Sequence, residues 1–415
     1  MTNKPSDGEV VENNTSEVAK KTTSEFIRLV GERTPVDNGG KSVKDDYSDY
    51  VFVRPHKSKR KKRSSSNSQH KSYGRKHRKM KLWKKILLSV VCVLLSLILI
   101  VVATVAILIH KGKQELHTED YNILAPEIED VEIQDDGDYI IYKGKKYELN
   151  KNITNILFMG IDKRVAEETD VYGKGGQADF IALGAIDTST GKTSFININR
   201  DTMTDVTLYS EGGSFIGTEE MQLCLSYAYG DGKEKSCENT VDSVERLFYN
   251  IPINSYFALD LDGMVAVNDS IGGVDVVSPE TIYNFVEGQT YHLEGDLTEA
   301  FVKSRDTSVL ESNLMRNERQ KVYLEAFMKR VVELTKQDLS TPINLYNASA
   351  PYSCTNINLS KISYLAESVL LSDGLSMEMV SVPGEVKAGE KFAEFYVDEE
   401  KFYDMFLKVF YKEIQ

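Results

Sequence analysis

Residues 86–109 read ILLSVVCVLLSLILIVVATVAILI, 24 consecutive positions without a charge. As a helix this run is roughly 36 Å long, enough to cross a hydrocarbon core of about 30 Å. A buried core helix is rarely apolar on every face over such a length. A secretory signal would stand at the N-terminus with a shorter apolar stretch. The run is therefore read as one transmembrane helix, 81–110 with its flanks. It divides the chain into parts on opposite sides of a bilayer.

Flanking charge sets the orientation. Between Arg54 and Lys85 lie 15 Lys and Arg and no acid. Beyond the run, His110, Lys111 and Lys113 soon give way to Glu115, Glu119 and Asp120. An excess of Lys and Arg marks the cytoplasmic side. The expected location is thus the cell membrane, single-pass, with the N-terminus cytoplasmic and residues 110–415 extracellular. The net charge is −13 despite the basic block, so the remainder is strongly acidic. That balance excludes a general nucleic-acid binder, and a basic block beside a span reads as contact with anionic lipid heads. Residues 1–80 are rich in Ser, Asn, Lys, Glu and Asp. They have too few large apolar residues to offset ordering entropy, so a disordered cytoplasmic tail is expected.

Residues 111–150 read as an acidic spacer followed by a small hairpin, with alternating runs on either side of Lys143, Gly144 and Lys145. From 151 to 415, strand-like and helix-like segments alternate. NILFMGID at 155–162 is an apolar run. ADFIALGAIDTSTGKTSFININRD at 178–201 is two such runs around a polar turn at 188–192. Residues 237–250 and 315–335 carry helical periodicity. Residues 255–276 read strand, helix, Gly-Gly turn, strand. Residues 342–371 read as a loop and then a helix, and 391–414 as a strand and a closing helix. The class is α/β with a mixed sheet.

Four cysteines exclude a disulfide-rich scaffold, and none has zinc-ligand spacing. Cys224 and Cys237 are near enough in sequence to bridge, with Cys354 left over; free buried thiols are the alternative. Asp162 and Asp179 sit at the ends of apolar runs, where ligand sites of α/β sheets lie. Arg200 and Asp201 end another run. Arg305, Arg316 and Arg319 gather around one loop and the start of a long helix. Carboxylates at strand ends suit Mg²⁺, which needs few protein ligands and shares phosphate oxygens. Arg binds phosphate bidentately and keeps its charge. Together these residues point to a pyrophosphate site outside a membrane. No Ser-His-Asp set, nucleophile elbow or Walker loop is present.

The motifs NILFMGID, QADFIAL, FININRDT, LSYAYGDG, NTVDSVERLF, LDLDGMVAVNDSIGGVDV, FVKSRDT and MRNERQ occur in that order. Their succession resembles the LytR-CpsA-Psr family of cell-wall enzymes, with a motif core at 155–335. The resemblance implies an α/β/α sandwich with a mixed central sheet and an apolar pocket for a polyprenyl chain. It implies a Mg²⁺-dependent phosphotransferase that moves a glycopolymer, teichoic acid or capsular polysaccharide, from a polyprenyl-pyrophosphate carrier to peptidoglycan. On that pattern Asp162 and Asp179 hold the metal, and Arg164, Arg200, Lys303, Arg305, Arg316 and Arg319 bind the pyrophosphate. Arg200, Asp201 and Arg305 are the catalytic candidates, with Asp201 orienting Arg200 or acting as a base. Gln177 and Lys303 stand where many relatives carry Arg, and Cys224 where Asn is usual. The alternative is a membrane-anchored protein that binds the same carrier, or senses the envelope, without catalysis.

Overall fold

The computed structural model describes residues 81–414, except 118–120, 170, 172, 211, 307, 310–311 and 372–376. The expectation for residues 1–80 lies outside the described residues.

Helix α1 (Leu82–Leu116) is followed by β1 (Val131–Gln134), β2 (Tyr139–Tyr142) and β3 (Lys145–Leu149). Next come β4 (Ile153–Ile161), β5 (Ala178–Asp187), β6 (Thr193–Ile198) and the hairpin β7 (Met203–Tyr209) and β8 (Phe215–Gln222). Helices α2 (Leu225–Ala228) and α3 (Glu234–Leu247) precede β9 (Ser255–Leu259), α4 (Leu261–Ser270), β10 (Val274–Val277) and β11 (Thr290–Leu293). The chain continues through α5 (Asp296–Lys303), α6 (Ser312–Gln337), α7 (Thr341–Ser349), β12 (Ser353–Thr355) and α8 (Leu359–Leu371). It closes with β13 (Met377–Ser381), β14 (Gly384–Ala388), β15 (Ala393–Val397), α9 (Glu399–Phe410) and β16 (Tyr411–Ile414).

The central sheet has six strands in the order β12-β9-β4-β5-β6-β13. β4 runs parallel to β9 and β6 parallel to β13, while β5 is antiparallel to both its neighbours. The sheet is therefore mixed, as the alternation of segments implied. The polar turn between β5 and β6 is closed by Asp187, whose Oδ1 accepts from the backbone N–H of Ser189 and Thr190. Gly191 takes a φ of 72° there, a conformation that favours glycine.

Strand alternation gives the sheet two different faces. Leu157, Met159, Leu183 and Ile196 point into a core completed by Val244, Phe248, Phe402, Tyr403, Phe406 and Phe410. Ile156, Phe158, Phe195 and Phe257 point the other way and line a cavity roofed by α4, α6, α7 and α8. With helices beyond both faces, the architecture is an α/β/α sandwich.

Two segments depart from the reading of the sequence. Residues 341–349, expected to be a loop, form α7. Pro342 lies in its first turn, where the missing N–H would have no helical partner anyway. After α9 the chain adds β16, which pairs with β3. Four such residues carry too little pattern to be read as a strand alone.

Helix α1 is the one helix among the described residues long and apolar enough to cross a membrane. Its side chains are exposed from Leu82 through Ile107, and burial begins at Leu108.

Candidate active site

β4, β6 and β9 all run in one direction and end at the same edge of the sheet, where β5 begins. That geometry gathers Asp162 after β4, Asp179 at the start of β5, and Arg200 and Asp201 after β6. The edge is the carboxyl end of the parallel strands, the usual ligand position in α/β sheets.

Asp162 Oδ1 accepts from the backbone N–H of Gln177 at 2.7 Å. Gly176 permits this wrap: its φ is 99°, and a side chain would begin 3.0 Å from that same oxygen. The carboxylate of Asp179 pairs with Arg200 Nη1 and, at 3.3 Å, with Arg316 Nη1. Arg200 also donates from Nη2 to Gln177 Oε1 at 2.5 Å and to Cys224 Sγ at 3.0 Å, and from Nε to Asp201 Oδ1 at 3.3 Å. Asp201 accepts from Gln222 Nε2 at 3.2 Å and from Asn313 Nδ2. Asn313 Oδ1 in turn accepts from Arg305 Nη1 at 2.7 Å. One network thus joins Asp179, Arg200, Asp201, Arg305 and Arg316. Asp201 has donors on both oxygens and is buried, an arrangement that orients Arg200.

Arg316 is the least satisfied member. Only 3% of it is exposed, and its Nε and Nη2 have no partner. Buried N–H donors are normally paired, so such a guanidinium is suited to an anion. Burial pulls its pKa down, with Asp179 acting in the opposite sense. Burial also works against the charge on Arg200, but Cys224, Asp179 and Asp201 outweigh it and hold that pKa above its ordinary value. The Cys224 thiol is pushed up to about 12, chiefly by burial, so it is a neutral neighbour of Arg200 at physiological pH.

Asp162, Asp179, Lys303 and Arg316 stand on the wall of the cavity, whose volume is about 760 Å³. The rest of the wall is mostly apolar, with Phe158, Phe257, Leu324, Phe327, Leu345 and Leu365 among its side chains. Among the described residues no group of three or more His, Cys, Asp or Glu forms a metal site. Two carboxylates beside a buried guanidinium are a donor set that fits Mg²⁺, an ion that retains waters and needs few protein ligands.

Four of the residues read from the sequence lie outside this network: Asp162, bonded to the Gln177 backbone, and Arg164, Lys303 and Arg319. Arg319 is buried, but it bonds the Phe301 carbonyl at 2.9 Å and pairs with Glu280. Three residues beyond Arg316, a helix has advanced 4.5 Å and turned 60° short of a full circle, enough to reach α5 instead of the cavity. Burial lowers the Arg319 pKa to about 10, which leaves it charged at neutral pH. Arg164 is exposed and held by Asp262 and Glu299, each at 3.0 Å. Lys303 pairs with the same Glu299 at 3.0 Å while lining the cavity. Asn313, Gln222, Glu280 and Glu299 were not legible as partners, because their role depends on contacts between distant segments.

Cys224 and Cys237 are not bridged, and the four cysteines are free. Cys224 faces Arg200, whereas the Cys237 thiol lies beside that of Cys354. Nearness in sequence was misleading because α2 and the turn after it separate the two thiols, which meet different neighbours.

The polyisoprenyl-teichoic acid–peptidoglycan teichoic acid transferase TagU of Halalkalibacterium halodurans is 28% identical to this chain over 185 residues, 44% of this chain and 54% of that protein. The corresponding transferase TagV of Bacillus subtilis is 29% identical over 196 residues, 44% of this chain and 45% of that protein. The chain thus spans about half the length of these curated relatives. Among solved structures, protein gbs0355 of Streptococcus agalactiae aligns with a TM-score of 0.49 and 18% identity, covering 62% of this chain and 86% of that one. Bacillus subtilis TagV aligns with a TM-score of 0.47 and 23% identity, covering 62% and 97%. The LytR_cpsA_psr family model matches residues 113–408, a stretch that includes Asp162, Asp179, Arg200, Arg305 and Arg316. The chain belongs to the LytR-CpsA-Psr family.

Proposed function

We propose that this protein is a membrane-anchored phosphotransferase that moves a glycopolymer, a teichoic acid or a capsular polysaccharide, from a polyprenyl-pyrophosphate carrier to peptidoglycan. The observation that carries this reading is Arg316, a buried guanidinium with two unpartnered N–H-bearing nitrogens on the wall of a long apolar cavity. An anion-seeking group joined to an apolar channel suits an amphiphile with a phosphate head and a hydrocarbon tail. The transferase names of the relatives support the same class of substrate.

In this reading an acceptor sugar hydroxyl attacks the phosphorus that bears the glycopolymer. The new P–O bond forms as the bond to the bridging oxygen breaks, polyprenyl phosphate leaves, and the hydroxyl proton passes to that phosphate or to solvent. Such transfer depends on positioning and charge stabilisation more than on covalent help. Arg200, Arg305 and Arg316 supply fixed positive charge, and Asp201 with Asn313 holds two of those groups in place. Asp162 and Asp179 would hold Mg²⁺, which when bound neutralises charge on the two phosphates. Orientation follows the charge bias, with the catalytic domain outside the cell.

The test is transfer by the full chain in detergent, with a labelled polyprenyl-pyrophosphoryl glycopolymer and peptidoglycan. Asp179→Asn is expected to lower the rate by at least about 10²-fold, and chelation of Mg²⁺ to abolish turnover until the ion is restored. Full activity of Asp179→Asn would overturn the site. Tight carrier binding without turnover by the unaltered protein would establish the non-catalytic alternative instead.

A further inference from the structure

The cavity and the membrane helix meet at α8, and the contact between them is unusually close. Helix α1 packs along α8. Gly112 lies so near the Ser360 carbonyl that a Cβ would stand 2.1 Å from its oxygen, and 3.0 Å from the Cβ of Tyr364. Only glycine tolerates that approach, the same device by which small residues let membrane helices pack closely. The contact is one stripe: burial along α1 recurs at Leu108, Gly112 and Leu116, four residues apart. A polar tie reinforces it. Glu115 Oε2 accepts from Asn358 Nδ2 at 2.9 Å, while Asn358 Oδ1 accepts from the Lys361 backbone N–H at 3.0 Å.

The stripe begins at Leu108, where the apolar run of 86–109 is ending. A core of about 30 Å takes up some 20 helical residues, so the docked turns stand at the bilayer surface. α8 presents its opposite side to the cavity, through Ile362, Leu365 and Ala366. Lys361 Nζ donates to Ser255 Oγ at 2.8 Å, which fixes α8 beside the start of β9. That start is paired with Ile156, at the end of β4 remote from Asp162. From Ile156 to Gly160 the strand climbs roughly 13 Å toward the charged edge.

We propose that the Gly112 seam positions the cavity on the membrane: its end remote from the arginine edge faces the bilayer, and the donor's polyprenyl tail passes from lipid along the α1–α8 contact into the cavity. The pyrophosphate then reaches the arginine edge while the end of the tail stays in the bilayer. Gly112 is a positioning residue in this arrangement. The inference rests on the function proposed above and adds the path by which the substrate arrives.

The experiment uses the full chain in phospholipid vesicles with two donors: a long-chain polyprenyl-pyrophosphoryl saccharide embedded in the vesicles, and a short-chain, water-soluble analogue. Gly112→Leu is expected to raise KM for the embedded donor at least ten-fold with kcat little changed, and to leave the soluble donor unaffected. Glu115→Ala, which adds no bulk, is expected to give a several-fold change in the same direction. Amides of residues 358–366 should exchange faster with solvent in Gly112→Leu while the central sheet keeps its protection. An equal loss on both donors, or no change on the embedded one, overturns the proposal. Failure of the unaltered protein to turn over either donor would sink the phosphotransferase reading, and this delivery role with it; a loss confined to the soluble donor would sink the delivery role alone.

Discussion

The two faces of the central sheet are built from the same strands and do opposite things. On one face, Leu157 and its neighbours meet a close-packed aromatic layer. Phe248 and Phe402 lie edge to face with centroids 4.9 Å apart, and Tyr249 meets Phe406 at 5.1 Å. On the other face, Phe158 and Phe257 border open space roofed by helices. Protein interiors are normally filled to crystal-like density. The unfilled face therefore forgoes dispersion contacts that the packed face makes. The comparison shows that hydrophobic residues in a strand do not by themselves say whether they stabilise a fold or hold a ligand.

The largest expected effect comes from the charged end of the hollow face. Arg316→Met removes a buried guanidinium with two unpartnered nitrogens, so transfer should fall by at least about 10²-fold. Leaving buried donors unsatisfied costs roughly 1–3 kcal/mol, so the melting temperature of the variant should be unchanged or higher. A variant that melts several degrees lower yet still transfers polymer would break the comparison.

Adjacent residues on β4 give a sharper test of the two faces. Leu157 is fully buried, and Leu157→Ala should cost about 2–5 kcal/mol. Phe158→Ala removes more atoms, but they already border a void, so the expected loss is roughly half as large. Denaturant melts of both variants measure the difference. Equal losses would mean that the cavity face is as tightly packed as the core.

The smallest effect concerns the thiols beside these faces. Cys224 is buried and neutral, so iodoacetamide at pH 8 should leave it unmodified in the native protein. Unfolding without reductant should expose four titratable thiols. A count of two would reveal a disulfide that the structure does not contain.

Much of the architecture was legible because it follows local pattern. The strand–turn–strand of 178–198 is marked by alternation and by a polar turn that Asp187 closes. Helix α6 is marked by its period and by charged residues along its outer side. The segment that became α7 was not legible, because its Asn, Ser and Pro content resembles a loop until packing against α4 and α6 fixes it. Of the arginines, Arg200, Arg305 and Arg316 share one network, whereas Arg319, only three residues away, belongs to another. Their chemistry is identical in the sequence, and the 60° offset around a helix separates their partners.

The amino-acid sequence by itself determined the apolar run that can span a bilayer, the charge bias on either side of it, the mixed α/β class and the acidic and cationic residues that end the strands. Each of these depends on composition or on short-range periodicity, which acts within a turn or a strand. Only the tertiary structure decided that one face of the sheet is filled and the other hollow, that Arg316 is left with free donors beside Asp179, and that Gly112 docks α1 on α8. Those outcomes depend on which distant segments meet, and side-chain type alone carries no record of that meeting.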